Sequence, residues 1–192
     1  FVMIPQAYAD EEKARALLQL SSGLDVVKGL QHHQLSATGF WFIADKTLLN
    51  YLESTFSNAS IRHAGAVNIA LMTGSKALSA CDLFMNISDT SIELICKKNG
   101  EIIFYNVFAC NTGEDILYYL LFTMEQFQLD PLQTRLCIAT QRQVNDPLFV
   151  SIKKYIRHVE FCVSAGLVYK GDLAQLPSHA YFTLLNQYQC EL

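Results

Sequence analysis

NISDTSIELICKKNGEIIFYNVFAC, Asn86 to Cys110, carries the strongest pattern in the chain. Immediately upstream, and running into it, Cys81, Leu83, Met85 and Ile87 alternate with Asp82, Phe84, Asn86 and Ser88. That period of two specifies a strand. Ile92, Leu94 and Cys96 alternate with Glu93 and Lys97 in a second strand. Asn99-Gly100 follows, a dipeptide suited to the two positive φ values of a type I′ hairpin turn. Ile102 to Ala109 is apolar on both faces, which predicts a third strand covered on both sides. Three strands joined this closely form an antiparallel meander.

Downstream the period changes. Thr112 can cap a helix, with Asp115 three residues on in a position resembling a capping box. Ile116, Leu117, Leu120, Leu121, Met124 and Phe127 give that helix a wide apolar face, and Asp130-Pro131 ends it. Leu136 to Ala139 reads as a strand, Asp146-Pro147 opens a helix to about Ile156, and Val159 to Val163 is a further strand. Pro177-Ser178 opens a last helix through Tyr188. Residues 81–188 therefore run through three strands, then helix, strand, helix, strand, helix, with the later strands parallel by right-handed crossovers.

Before residue 80 strands and helices also alternate, without an opening meander. Phe1 to Ile4 and Gly39 to Ala44 read as strands, Asp10 to Leu20 and Lys46 to Phe56 as helices. A short strand is expected at Ile61 and a helix over Gly65 to Leu78, while Val26 to Leu35 suits either state.

At 192 residues, 51% hydrophobic and 17% charged, the chain can bury a core as one domain or two small ones, and the composition argues against disorder. Net charge is −4 and the basic residues are scattered. Lys153, Lys154, Arg157 and His158 fit one solvated helix face, so no nucleic-acid footprint is expected. No apolar run approaches the roughly 18 residues of a membrane span. The six cysteines form no C-x-x-C and sit mostly in apolar runs, which predicts buried free thiols in a reducing, cytoplasmic setting. His32 and His33 are adjacent and point apart, and His63, His158 and His179 lack partners at ligand spacing, so no metal set is predicted. Tyr118-Tyr119 suits either core packing or a partner surface.

Phe1-Val2-Met3-Ile4-Pro5, the run Gly113 to Leu121, and the closing Cys190-Glu191-Leu192 resemble an uncharacterised bacterial protein family with an actin-like ATPase fold. More distantly the chain is similar to actin-like proteins of pilus and secretion platforms, through the glycine-led helix after the third strand. The resemblance implies an α/β architecture of ribonuclease-H-like units, with an incomplete first unit over 1–79, a complete second over 80–192, and a ligand cleft between them. It also implies where a nucleotide would sit. Asp89 would hold Mg²⁺ through water, Thr90 or Ser91 would bond a phosphate oxygen, Thr112-Gly113 would offer a helix N-terminus, and Thr140 would border the adenosine.

Such folds grip phosphate through glycine-bearing turns, because only glycine lets the backbone approach so closely. Ser88-Asp89-Thr90-Ser91 and Ile138-Ala139-Thr140-Gln141 contain none. The expectation is therefore a non-catalytic binding or assembly module with protein partners, no cofactor and a degenerate nucleotide site. The alternative is a nucleotide-binding protein or weak ATPase that uses ATP and Mg²⁺, with its first phosphate loop upstream of residue 1. A two-metal nuclease would need more carboxylates than Asp82 and Asp89.

Overall fold

The computed structural model describes residues 1–23, 29–35, 37–74, 78, 80–164, 170–177 and 179–189. The chain divides into two compact units, residues 1–67 and residues 68–191. This division by contacts falls inside a helix, earlier than the 79/80 boundary expected from the element pattern.

In the first unit β1 (Val2–Pro5), β2 (Leu30–Leu35) and β3 (Thr38–Ile43) form an antiparallel sheet in the order β1-β3-β2. α1 (Glu11–Ser22) starts where the Asp10 carboxylate accepts the Lys13 N–H at 2.8 Å. It stops at Gly23, whose φ of +65° suits a residue without Cβ. α2 (Lys46–Thr55) begins in the same way, with Asp45 accepting from Leu48 N–H. Gly39 is fixed by space, since a Cβ there would lie 2.8 Å from Trp41 Nε1 and 3.1 Å from His32 Nε2. The ambiguous segment ends in strand β2, and its first three residues lie outside the described ones. Residues 61–63 form no strand, which corrects the reading at Ile61.

His63 explains that irregular segment. Its ring packs 4.8 Å from Phe40 and 4.9 Å from Phe42, and its N–H donates to His33 Nε2 at 3.0 Å. Its own Nδ1 accepts from the Gly65 N–H at 3.0 Å. Both acceptor nitrogens must be unprotonated. Desolvation, reinforced by charge repulsion including that from His33, pushes the His63 pKa down to about 4.

α3 (Ala64–Gly74) crosses from the first unit into the second; the helix was expected to run on to Leu78, and residues 75–77 and 79 lie outside the described ones. β4 (Leu83–Ile87), β5 (Ser91–Lys98) and β6 (Glu101–Ala109) then form the predicted meander. Asn99 and Gly100 turn it with φ of +55° and +86°. α4 (Gly113–Gln126), β7 (Arg135–Thr140), α5 (Pro147–Lys153), β8 (His158–Phe161) and α6 (Phe182–Asn186) complete the second unit. The sheet order is β6-β5-β4-β7-β8, with β7 parallel to both its neighbours. Its core joins Leu83, Met85, Ile92 and Leu94 of the sheet to Ile116, Leu120 and Met124 of α4 and to Phe149 and Ile152 of α5.

Three expectations are corrected in this unit. β6 is not covered on both faces: Ile103 is 39% and Val107 42% exposed, because β6 is the sheet's edge. The doubly buried strands are β4 and β5, which lie inside it. The last helix starts at Phe182 rather than at Pro177, after Tyr181 takes a φ of +56°, and Ser178 and Cys190 to Leu192 lie outside the described residues. Finally, Cys81 and Cys137 are joined in a disulfide, with Cα atoms 6.0 Å apart, where free thiols were expected. The spacing of 56 residues concealed the pair, which β4–β7 pairing brings together. Cys96, Cys110 and Cys162 are buried and free.

Three measurements follow from these contacts. Between about pH 6.5 and 4 the unfolded chain binds a proton at His63 that the folded chain refuses, so stability should rise with pH across that window. An NMR titration should find the His63 ring neutral down to about pH 4; protonation near the ordinary histidine value would refute the buried acceptor role. A non-reducing digest should recover the Cys81 and Cys137 peptides joined, and alkylation of both thiols in unreduced, unfolded protein would disprove the cross-link.

Candidate functional site

The carboxyl ends of β4 and β7 pair side by side, with Ile87 opposite Thr140. The chain leaves these two central strands in opposite directions, toward β5 on one side and β8 on the other. A crevice at such a point is where α/β sheets commonly hold ligands. Here it is a cavity of about 210 Å³. Asn86, Ser88, Thr140, Gln141, Tyr181 and Thr183 supply its polar lining, and Ile87, Phe182 and Leu184 its apolar part. Among the described residues no Lys, Arg, Asp or Glu lines it.

Behind the cavity lies a buried polar cluster. Asn86 of β4 pairs in register with Glu93 of β5, and Asn68 of α3 reaches the same carboxyl. Glu93 Oε2 accepts from Asn68 Nδ2 at 2.7 Å and from Asn86 Nδ2 at 3.2 Å. Thr183 Oγ1 donates to Asn68 Oδ1 at 2.8 Å, which connects the cluster back to the cavity wall. Glu93 is only 8% exposed. Burial raises the Glu93 pKa, outweighing hydrogen bonds from Asn86, Asn68 and Tyr105 that favour the anion. Burial raises the Tyr105 phenol as well, and the Glu93 charge adds to that. Desolvation of this kind holds a carboxyl toward its neutral form.

The residues singled out from sequence do not gather at one point. Thr140 lines the cavity, and its Oγ1 accepts the Arg142 N–H at 3.1 Å. Ser88 lines it too, whereas Asp89, Thr90 and Ser91 do not. The turn they form closes on itself: Ser88 N–H and Ser88 Oγ both donate to the Ser91 carbonyl at 2.9 Å, and the two serine hydroxyls lie 2.8 Å apart. Thr90 spends its carbonyl on the Cys110 N–H. Thr112 completes a capping box, accepting from Asp115 N–H while Asp115 Oδ2 accepts from the Asn111 and Thr112 N–H groups. Those backbone bonds hold the Asp115 carboxyl below its usual range. The start of α4 therefore already carries its own anion. Gly113 borders a separate depression of about 290 Å³ with Glu114, Arg142 and Asp146, where Arg142 pairs with Asp146 at 3.3 Å.

Among the described residues no Lys or Arg lines the cavity, and the serine donors of the Ser88 to Ser91 turn bond within the turn. Asp82 and Asp89 stand at opposite ends of β4, and Asp82 Oδ2 accepts the Arg135 N–H. Among the described residues no group of three or more His, Cys, Asp or Glu side chains could hold a metal. Nor is any helix among them long and apolar enough to cross a membrane.

Sequence reading missed Glu93, Asn86 and Asn68. Glu93 alternates with apolar neighbours as a solvent-facing residue would, yet β5 is covered on both faces. The available signal was Asn68, a lone amide inside the apolar run Ala66-Val67-Asn68-Ile69-Ala70-Leu71.

Fold and crevice together define an α/β protein of the actin-like ATPase fold. It superposes on a Bacteroides thetaiotaomicron VPI-5482 protein of actin-like ATPase fold and unknown function with a TM-score of 0.79. The two are 18% identical, over 99% of this chain and 70% of that one. The chain belongs to the DUF3822 family of proteins of unknown function, whose model matches residues 1–159. No curated protein matches the sequence.

The raised Glu93 pKa gives a stability test. A carboxyl that is more basic when folded contributes stability that fades as pH rises above its unfolded value near 4.5 toward its folded value. Glu93→Gln should remove that fading and flatten the stability profile on the alkaline side of pH 4.5, measured by urea denaturation across pH. An unchanged profile would mean that Glu93 is ionised in place.

Proposed function

We propose that this chain is a non-catalytic binding or assembly module that keeps the actin-like scaffold while its nucleotide site has degenerated. Its partners in this reading are proteins, and its setting is the bacterial cytoplasm. The observation that carries the proposal is the Ser88 to Ser91 turn. Where a phosphate turn would present bare backbone N–H groups, two serine side chains and a backbone donor bond within the turn itself. The cavity beside it supports the same reading, since among the described residues no cation lines it to compensate a desolvated triphosphate. The three buried free thiols favour a reducing compartment, and the Cys81–Cys137 bond stands against it.

A second reading, a nucleotide-binding protein or weak ATPase, draws on the position of the cavity at the carboxyl ends of β4 and β7. It would take a further phosphate turn from residues preceding Phe1. Millimolar MgATP separates the two readings on the longest protein that can be expressed. The proposal expects no shift in melting temperature and no phosphate release. A saturable shift that Asp89→Ala abolishes would establish the second reading instead.

A further inference from the structure

We infer that the outer faces of α4 and α5 form the interface of a two-fold homodimer, in which α4 of one copy lies against α5 of its partner. The inference rests on the assembly part of the proposed reading and names a second copy of this chain as the partner. Its support is independent of the nucleotide site.

Three observations carry it. First, both helices leave large apolar side chains in solvent. The core takes Ile116, Leu120 and Met124 of α4, so Glu114, Tyr118 and Phe122, spaced four apart on the opposite side, face outward with Glu125 beside them. Tyr118 is 61% exposed, Phe122 is exposed as well, and their rings stack 5.9 Å apart. On α5, Leu148, Phe149 and Ile152 are buried, whereas Val150 is 58% exposed and Tyr155, just past the helix end, is exposed too. Apolar patches rimmed by polar residues mark protein interaction surfaces. Second, the two faces carry opposite charge. Glu114 and Glu125 flank the ring pair of α4, while exposed Lys153, Lys154 and Arg157 flank Val150 and Tyr155. Third, the helices lie side by side on one face of the sheet, over a shared core. Their C-terminal ends lie at the same end of that sheet: Arg135 at the start of β7 pairs with His158 at the start of β8, and the Arg157 N–H donates to the Pro131 carbonyl at 3.0 Å. A two-fold axis along the seam between the helices therefore sets α4 on the partner's α5. It brings Glu125, at the end of α4, to Lys154 of the partner subunit, and symmetry makes that contact twice. A two-fold axis across the helices would set acid on acid and base on base, which is unfavourable. The charge pattern thus selects the first arrangement, a closed dimer.

The test is sedimentation velocity on the longest protein that can be expressed, over concentrations from about 1 to 100 μM. A closed monomer–dimer equilibrium is expected in that range. Tyr118→Ser and Val150→Ser change exposed side chains, so both should keep the parent's melting temperature while weakening the dimer about tenfold each. Glu125→Lys and Lys154→Glu should each weaken it by a similar factor, because each opposes like charges across the axis. The double variant carrying both reversals should return to within about threefold of the parent. That rescue is specific to α4 meeting α5 of the partner, and a general loss of stability would not produce it. A monomer throughout the range overturns the inference. So does an open series of larger species, a dimer that none of the four single variants weakens, or a double variant no tighter than either reversal alone. A monomer that instead captures a different protein through Tyr118 overturns the homodimer and leaves the assembly reading standing. None of these variants touches the cavity, so an inert MgATP titration supports the degenerate-site reading whether or not the dimer forms.

Discussion

The pairing of β4 with β5 on one side and β7 on the other is the constraint on which the second unit depends. It makes β4 and β5 interior strands, covered on both faces, so their alternate residues must all be buried. Apolar residues meet that demand almost everywhere. Glu93 is the exception, and burying a carboxyl is unfavourable unless it is hydrogen-bonded or neutral. Asn86 stands directly across the pair from it, and Asn68 arrives from α3. The strand order thus creates the polar cluster and, one layer outward, the cavity.

The same strand order accounts for the edge. Among the described residues β6 has a neighbour on one side only, and its apolar composition did not reveal this. Ile103 and Val107 are exposed, and the Val107 N–H is taken by its neighbour's side chain, Asn106 Oδ1, at 2.9 Å. Occupying an edge donor in this way leaves one group fewer for a stray strand to pair with. At the other end of the meander the Ser88–Ser91 turn behaves alike, bonding inward where a phosphate-gripping turn would bond outward.

Much of the fold was legible in linear sequence because its signals are local. Asn99-Gly100 dictates a tight hairpin through backbone sterics, and both residues take positive φ. Thr112 and Asp115 form a capping box at the predicted start of α4. The period-two and helical-period runs place the meander and the alternation after it, since each period reflects the geometry of one element. The glycine-free turns were equally visible, because glycine's role there is a property of a single residue.

What remained to tertiary structure was everything that depends on which elements become neighbours. Burial of β6 against exposure, the joining of Cys81 to Cys137, the irregular path about His63 and the meeting of Asn68, Asn86 and Glu93 all require contacts between residues distant in the chain. Local periodicity tells which side of a strand is apolar and is silent on whether another strand will lie beside it. A carboxylate in an alternating run therefore reads as solvent-facing until pairing covers both faces. That physical gap between local pattern and long-range pairing is why the architecture could be read from the residues while the polar cluster and its cavity could not.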